Sequence, residues 1–366
     1  MATNSKLGIG LRILKIYFLL RRLFRRITGT EKTTYVWTRT EGYKKAWQAT
    51  ADEIGADLKE LYSGIWEVSK DNKSTRIGLY LTEFDNPVTL KIAGNKPLSY
   101  RLMADKGVPV PAYMNFTLNE LDKVKQFMMD HSGMVVIKPA SGTSSGRGVT
   151  THVKTISEAR RAAVLAASYG RELLIERLVP GEVYRLLFLN GEMLHASRRN
   201  GMKITGDGRS TLVQLFDKEN ERRKQGSEGG RQVVGKDRDY EATLEAQNLE
   251  ECSVLVEGQT VLVKSVDAPL FDNEEIRTVY DENATNDICE SIRESSRLAC
   301  EAVRSEFTGV DIITMDPTVP LAVSGGVIGE INTTPGLHHH HNLHNDPEKP
   351  YAWMKTLQYL LDKSPY

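Results

Sequence analysis

The sequence predicts an α/β or α+β fold, and three observations carry that prediction. Segments with helical spacing of apolar residues alternate along the chain with short apolar runs that are typical of buried strands. Hydrophobic residues make up 40% and charged residues 26% of the chain, which is an ordinary globular balance. The length of 366 residues suits more than one domain. We expect a basic leader over residues 1–30, a small α/β domain over 31–95 and a larger domain over 96–366.

The overall charge and the cysteines exclude some classes of function. Lysine plus arginine equals aspartate plus glutamate at 48 each, so nothing in the net charge favours nucleic acid as a partner. The three cysteines, Cys252, Cys289 and Cys300, form no C-x-x-C pair and are too few for a disulfide framework. They indicate free thiols in a reducing compartment, so we expect a cytoplasmic protein.

The N-terminal segment is basic and apolar. Between residues 6 and 27 every charged side chain is lysine or arginine, and bulky apolar residues lie between them. Arg12 and Lys15 interrupt the apolar run, so it is too short to span a bilayer, and it lacks the features of a secretory signal. Such a helix can lie on an anionic membrane surface, or it can pack against its own protein, which is the alternative we favour.

The expected elements follow from periodicity and turn residues. The first domain should contain a helix over 43–54 and two strands over 65–68 and 75–81. Further helices are expected over 97–106, 118–129, 157–169, 212–223, 286–304 and 350–361. Further strands are expected over 134–137, 173–175, 184–189, 192–197, 310–315 and 327–332. Asn190-Gly191 predicts a hairpin turn, and the aperiodic stretch 224–238 a mobile loop.

A glycine-rich loop follows one of the buried strands. The strand delivers Lys138, and the loop 141–148 contains three glycines. Glycines allow backbone N–H groups to approach phosphate oxygens, and a lysine adds a point charge. The loop lacks the G-K-[ST] ending of a P-loop. The pattern predicts a phosphate site, with an ordinary flexible surface loop as the alternative.

Polar residues on the last two expected strands suggest a metal site. Glu330 and Asn332 alternate, so their side chains share one face of a strand, and Asp311 lies on the neighbouring strand. Oxygen ligands of this kind suit Mg²⁺. The alternative is a hydrogen-bonded strand end. A third segment, from Glu176 to Glu182, follows a strand and suits an adenine hinge with a ribose ligand, although by itself it reads as an ordinary turn.

Together these segments resemble the ATP-grasp superfamily, and within it the ATP-grasp region of cyanophycin synthetases. The resemblance runs from about Lys96 to the C-terminus, and its short motifs occur in the family's order and spacing. They are Gly94-Asn-Lys-Pro97, Gly107-Val-Pro-Val-Pro111, Val135-Val-Ile-Lys-Pro139, Ser145-Gly-Arg-Gly-Val149, Glu176-x-x-Val179-x-Gly181, Arg185-Leu-Leu187, Thr205-Gly-Asp-Gly208, Gly309-Val-Asp-Ile312 and Glu330-Ile-Asn-Thr-Thr-Pro-Gly336. It implies an α+β ATP-grasp fold, with two α+β subdomains that clasp ATP, one of them a lid subdomain at about 112–178.

The resemblance also implies roles for individual residues. Asp311, Glu330 and Asn332 correspond to the family's magnesium ligands, and Arg185 and Arg199 lie where it places arginines near the acyl phosphate, with Lys138 a third catalytic group. The residues implied in ATP binding are Lys96, Lys138, Ser141, Gly142, Ser144, Ser145, Gly146, Gly148, Glu176, Arg177, Val179 and Glu182. The cofactors implied are ATP and Mg²⁺.

The implied reaction joins an acid to an amine through an acyl phosphate, with release of ADP and phosphate. Two alternatives stay open, namely a non-catalytic ATP-binding scaffold or sensor and a phosphotransferase that stops at the acyl phosphate. The cyanophycin enzymes carry a further Mur-type ligase domain and a large N-terminal domain that have no counterpart here, so we expect a single ligation rather than polymer synthesis.

The substrates are expected to be small molecules or peptides. Arg199 and a basic loop at 222–224 hint at an anionic substrate, and relatives of this kind often form homo-oligomers. The histidines at 338–341 and 344 follow the family's Pro-Gly turn. They suit a wall of the substrate pocket, with a solvated loop or a metal site as alternatives.

Overall fold

The computed structural model describes residues 8–28, 35–84, 86–131, 133–142, 148–225, 235–236, 238–245, 247–264, 280–340 and 351–366. The helices within these ranges are α1 (Ile9–Thr28), α2 (Tyr35–Ile54), α3 (Pro87–Ala93), α4 (Lys96–Asp105), α5 (Leu121–Asp130), α6 (Ile156–Ala166), α7 (Leu212–Gln225), α8 (Arg238–Glu245), α9 (Glu290–Val303), α10 (Leu321–Ser324) and α11 (Tyr351–Lys363). Short 3₁₀ helices cover Leu118–Glu120, Thr285–Asp287 and Leu337–His340.

The strands form four sheets, and every strand pairing among the described residues is antiparallel. Helices and antiparallel sheets together confirm the predicted α+β class. The strands are β1 (Asp57–Tyr62), β2 (Ile65–Lys70), β3 (Lys73–Gly78), β4 (Tyr113–Phe116), β5 (Val135–Pro139), β6 (Thr150–Val153), β7 (Leu173–Arg177), β8 (Glu182–Leu189), β9 (Glu192–Asn200), β10 (Lys203–Thr205), β11 (Thr260–Leu262), β12 (Tyr280–Asn283), β13 (Phe307–Thr314) and β14 (Val327–Thr333).

A four-stranded sheet in the order β4-β7-β5-β6 forms the smaller of the two large sheets. Helices α5 and α6 share a core with it, in which Phe116, Val135 and Ile175 are buried. Helix α6 presents alanines to the sheet, and Ala159 and Ala162 are fully buried. Small side chains allow close approach, so this helix packs tightly over the strand that ends in the glycine-rich loop.

A five-stranded sheet in the order β12-β9-β8-β13-β14 carries the other half of the site. Successive residues of a strand point to opposite faces, and β8 is apolar on both. Leu186 packs into a core with α4 and α9, whereas Leu187 packs into a second core with Trp47, Trp66 and Trp353. The sheet is therefore covered on both sides, which explains why its central strands read as continuous apolar runs.

The N-terminal unit consists of α2 and the three-stranded sheet β1-β2-β3. Two of its tryptophans, Trp47 and Trp66, are fully buried in the same core as Phe307 of β13 and Trp353 of α11. The rings of Trp47 and Trp353 meet edge to face with centroids 4.6 Å apart. The unit is thus joined to the rest of the chain by a shared core, and a domain boundary at residue 95 stays a prediction.

Helix α1 packs against α6 through one of its faces. Phe18 is buried between Val164 and Leu165, with Leu11 and Leu14 beside it. The prediction that the N-terminal helix packs against its own protein is therefore confirmed for the face that bears Leu11, Leu14 and Phe18. None of the helices among the described residues combines the length and the apolar character that crossing a bilayer would require.

Two sequence-based predictions need correction here. Helix α7 continues to Gln225, so the basic residues at 222–224 belong to a helix end and the expectation of a basic loop was wrong. Strand β1 was missed altogether. Most of the loop predicted over 224–238 lies outside the described residues.

Candidate active site

Tyr100 of α4 connects the two large sheets. Its hydroxyl lies 3.0 Å from Glu176 Oε2, on β7 of the four-stranded sheet, and 2.6 Å from the carbonyl oxygen of Gly329, on β14 of the five-stranded sheet. Burial, reinforced by the charges of Glu176 and Glu330, raises the pKa of Tyr100 well above its ordinary value. The hydroxyl therefore stays protonated at neutral pH and acts as a donor between the sheets.

Lys138 forms an ion pair at this junction. Its Nζ lies 2.7 Å from Glu176 Oε1, and both side chains are less than a tenth exposed. The two residues come from the neighbouring strands β5 and β7, in which Lys138 is paired with Leu174 and Glu176 with Val136. An ion pair that is shielded from water holds its partners strongly, so the lysine side chain has a fixed position before any ligand arrives.

Lys96 forms a second ion pair across the same junction. It is the first residue of α4, and its Nζ lies 2.8 Å from Glu330 Oε1. Burial alone would raise the pKa of Glu330, but Lys96, aided by Lys138 and Arg185, outweighs burial and lowers the pKa to about 2. Burial would likewise lower the pKa of Lys96, and Glu330 reverses that effect, so the pKa of Lys96 is raised.

The start of α4 is itself fixed to the end of β5. Asn95 accepts a hydrogen bond from the backbone N–H of Leu98 on its side chain, at 3.1 Å, which caps the helix. Asn95 also pairs with Ser141 as an isolated bridge, and the N–H of Lys96 donates to the carbonyl oxygen of Ala140 at 3.2 Å. The two lysines are therefore positioned by directly connected segments.

Arg185 and Asp311 form a third, buried pair. They face each other on β8 and β13, and the guanidinium binds the carboxylate in two places, through Nε to Oδ1 and through Nη2 to Oδ2 at 2.7 Å. Asn332 Nδ2 lies 3.4 Å and Arg199 Nη1 4.0 Å from the same Oδ2. Planar two-point pairing is the strong form of the arginine–carboxylate interaction.

A glycine makes room for this arginine. A Cβ on Gly309 would lie 2.9 Å from Arg185 Cδ and 3.1 Å from Pro335 Cβ. Gly309 lies within β13, two residues before Asp311. A glycine inside a strand often marks such a close approach, and here it lets the arginine lie flat along the sheet.

The arrangement fits a hard metal ion. Glu330 lies opposite Asp311, and Asn332 opposite Gly309, in the pairing of β13 with β14, so the oxygen-bearing side chains share one face. Among the described residues no group of three acidic, histidine or cysteine side chains gathers as a metal site. Two carboxylates with an amide still match Mg²⁺, because this ion is usually held by one or two carboxylates together with substrate phosphates.

The structure thus brings eight of the seventeen predicted site residues together, although their roles stay predictions. Those that meet at the junction of the sheets are Lys96, Lys138, Glu176, Arg185, Arg199, Asp311, Glu330 and Asn332. Ser141, Gly142 and Gly148 lie at the two ends of the glycine-rich loop, whereas Ser144, Ser145 and Gly146 lie outside the described residues.

Glu176 lies at the junction, but two other residues expected to contact adenine or ribose, Arg177 and Glu182, have a different environment. Glu182 pairs with Arg198 and accepts a hydrogen bond from the Tyr184 hydroxyl at 3.1 Å. The side chain of Arg177 is exposed, and its N–H donates to the carbonyl oxygen of Ala112. No ion pair or hydrogen bond joins these side chains to the site in the described part of the chain, so their assignment rests on the resemblance alone.

The histidine run is partly buried. His340 is 5% exposed, and its Nδ1 lies 2.9 Å from His195 Nδ1, whereas His338 contacts the Tyr43 hydroxyl at 2.7 Å. Burial, with His195 beside it, lowers the pKa of His340 well below its ordinary value, so this ring is neutral. A solvated loop is therefore excluded for His340, and His341 and His344 lie outside the described residues.

Sequence reasoning missed Tyr100 and His195. Tyr100 follows Lys96 by four residues in α4, and that spacing puts both on one helix face, so the signal was present. His195 lies on β9, and its partner His340 is 145 residues away along the chain. No local pattern reports a contact of that kind.

The ion pair at Glu330 should make stability depend on pH. Because the pKa of Glu330 falls from 4.5 to about 2 on folding, the charged group stabilises the fold above pH 4.5, and the contribution is lost as pH falls toward 2. We expect the difference in unfolding free energy between the wild type and Glu330→Gln to shrink over that range in urea titrations. A difference that stays constant from pH 6 to the acid limit would contradict the assigned pairing.

Comparison with known proteins gives relatives from two groups, the cyanophycin synthetases and the bifunctional proteins of glutathione biosynthesis. No protein-family model matches the chain. It is 30% identical over 272 residues to the cyanophycin synthetase of Synechocystis sp. and 29% identical over 271 residues to that of Crocosphaera subtropica, in each case over 72% of this chain. A glutathione biosynthesis bifunctional protein of Listeria innocua is 25% identical over 264 residues, or 71% of this chain. The chain spans only about a third of the length of these relatives, at 30%, 30% and 33%.

A solved structure shows the same fold. The crystal structure of a bifunctional glutathione synthetase from Pasteurella multocida superposes with a TM-score of 0.62 at 20% identity. The match covers 87% of this chain and 43% of that one. At this identity the likeness concerns the fold alone.

Proposed function

Since the chain has the ATP-grasp fold and resembles the ATP-grasp region of cyanophycin synthetases, we propose that it is an ATP-dependent carboxylate–amine ligase. The relatives that it matches are synthetases, which supports the predicted ligase class. The observation that carries the proposal is the set of three ion pairs at the junction of the sheets, namely Lys138–Glu176, Lys96–Glu330 and Arg185–Asp311.

The three pairs suit a highly charged substrate. A triphosphate brings several negative charges, and Lys96, Lys138 and Arg185 are the cations available to receive them. In the described structure each of these cations is held by a carboxylate. Binding of ATP would let the cations contact phosphate oxygens, and the carboxylates Asp311 and Glu330 would then be available for Mg²⁺.

The chemistry needs positioned charge rather than a protein nucleophile. A carboxylate oxygen of the acid attacks the γ-phosphorus of ATP, the bond to the bridging oxygen breaks, and ADP leaves. The amine then attacks the acyl carbon, phosphate leaves with the electrons of its C–O bond, and the amine loses a proton. Mg²⁺, when bound, supplies charge that stabilises the phosphoryl oxygens, and Asp311, Glu330 and Asn332 would hold it.

Arg185 and Arg199 are suited to the acyl phosphate. Both side chains lie at Asp311, and both are mostly shielded from solvent, with 8% and 19% of their side-chain surface exposed. Fixed donors stabilise charge that develops in a transition state, because they do not have to reorganise when it appears. These two arginines would stabilise the oxyanion that forms when the amine attacks.

The partners we propose are small-molecule or peptide acids and amines. Residues that follow Gly336, among them His338 and His340, would line part of their pocket. A homo-oligomer and peripheral contact with a membrane through residues 6–27 are proposed as well. The second of these depends on the N-terminal helix and not on the site.

An assay of ADP release tests the proposal. The purified chain should form ADP with ATP and Mg²⁺ only when a suitable acid is present, and it should form amide product when an amine is added from a panel of amino acids and dipeptides. Hydroxylamine should trap the acyl phosphate when the amine is omitted. Trapping without any amide product across the panel would favour a phosphotransferase, and ATP binding with no ADP formed would favour a scaffold.

A further inference from the structure

Helix α1 has two apolar faces, and in the part of the chain that the structure describes one of them packs against α6. Leu11, Leu14 and Phe18 lie on that face. The other face bears a stripe of exposed apolar residues. We define the α1 stripe as Ile9, Ile13, Ile16, Tyr17, Leu20 and Leu23.

The stripe is continuous. Ile9, Ile13, Ile16 and Leu20 follow the three- and four-residue spacing that places side chains in a row on one side of a helix. Their exposed fractions run from 56% to 77%. Single exposed apolar residues are common on protein surfaces, whereas a contiguous row along a helix of about 30 Å marks an interaction surface.

The charged residues described beside the stripe are all basic. They are Arg12, Lys15 and Arg21, which we call the rim, and the sequence has no acidic residue before Glu31. An anionic partner would meet this positive charge favourably. A second copy of the chain, placed by a two-fold axis with stripe against stripe, would bring two basic rims together and be repelled.

We propose that the α1 stripe docks on the surface of an anionic phospholipid bilayer. An apolar face with bulky side chains and a rim of lysine and arginine is the pattern of a helix that lies in the plane of the interface. The apolar side chains enter the acyl boundary, and the basic rim contacts the anionic headgroups.

Docking would also orient the protein. Helix α6 lies between α1 and the four-stranded sheet, because it packs against α1 on one side and against β5 and β6 on the other. The bilayer therefore lies beyond the face of the four-stranded sheet that α6 covers, where Val135 and Ile175 are buried. Lys138 and Glu176 are an odd number of residues away from these two in their strands, so they point to the opposite face of the sheet. This inference rests on the peripheral membrane contact proposed above, for which it names the surface and the lipid, and it does not depend on the proposed ligase activity.

Co-sedimentation of the full chain with vesicles tests the proposal. We expect binding to vesicles of phosphatidylglycerol with phosphatidylcholine, weaker binding at high salt, and little binding to phosphatidylcholine alone. Leu20→Glu should lower the partition coefficient on the anionic vesicles by about tenfold or more. It removes an apolar side chain that would be buried in the membrane, and it adds a negative charge that the anionic headgroups repel. Arg12→Glu should weaken binding to anionic vesicles specifically.

Val323→Glu is the matched control, since Val323 is 72% exposed and lies on α10. It should bind vesicles as the wild type does, and all three variants should keep the wild-type circular dichroism and melting temperature. Equal binding of wild type and Leu20→Glu, or equal binding to neutral and anionic vesicles, would overturn the proposal. The proposal would also be overturned if the wild type did not bind vesicles and sedimentation velocity showed a dimer that Leu20→Glu dissociates.

Discussion

Replacing Glu330 by glutamine is expected to slow ATP-dependent ADP formation by about 10²–10³-fold, the loss that follows removal of one preorganised charged group from an active site. The amide can still accept a hydrogen bond from Lys96, so the local structure should survive. What is lost is a negative charge beside Asp311. That charge pairs with Lys96, and in the proposed site it would also hold the metal. The measurement is the rate of ADP formation at saturating ATP and Mg²⁺.

Glu294→Gln is the control for this change. Glu294 is an exposed residue of α9 that pairs with Arg297 on the helix surface, and its removal should leave the rate unchanged. Melting temperatures of both variants should stay close to that of the wild type. If Glu330→Gln formed ADP as fast as Glu294→Gln, the placement of the metal at β13 and β14 would be wrong.

Breaking the Arg185–Asp311 pair is expected to have the largest effect on stability. Each partner is 7% exposed, so removing either one leaves a buried charge without the partner that binds it in two places. Asp311→Leu and Arg185→Met should each lower the free energy of unfolding by about 3–5 kcal/mol. The double variant should lose much less than the sum, because two apolar side chains leave no buried charge.

Activity should not follow stability in this cycle. The double variant should regain much of the free energy of unfolding that the single variants lose. Because it has neither the carboxylate nor the guanidinium, its ADP formation should remain as low as in the single variants. Urea unfolding and ADP release, measured on the same four proteins, separate the two roles. Additive losses of stability would contradict the direct pairing, and activity in the double variant would contradict the site.

The sequence predicted the apolar strands well, because burial leaves a strong pattern. Strands β7, β8 and β14 lie where their apolar runs predicted them, as does the hairpin at Asn190-Gly191. Strand β13 begins at Phe307, three residues before the predicted start. Gly309 concealed that extension, since glycine has low strand propensity and is present here to admit Arg185.

Strand β1 was missed for the opposite reason. Its sequence, Asp-Leu-Lys-Glu-Leu-Tyr, has no apolar alternation, and Leu58 is its only residue that is not exposed. An edge strand gains its stability from hydrogen bonds to β2, and such pairing leaves no mark on composition. Helix α2 was likewise predicted eight residues too short, because Thr40 and Gly42 weaken the helical pattern near its start.

The residue types of the site were predictable, but their pairing was not. Glu330 and Asn332 share a strand, and their alternation alone predicted a common face. That Lys96 would pair with Glu330, and Lys138 with Glu176, depends on how the two sheets meet. Tyr100, which contacts both sheets, fixes that meeting and has no motif of its own.

The most direct test of the account is a crystal structure of the chain with Mn²⁺ and a non-hydrolysable ATP analogue. We predict an anomalous peak for the metal at Asp311 and Glu330. The phosphates should lie between the metal and Lys138, and Lys96 should have moved from Glu330 to a phosphate oxygen. A nucleotide bound elsewhere, or a metal that contacts neither carboxylate, would contradict it.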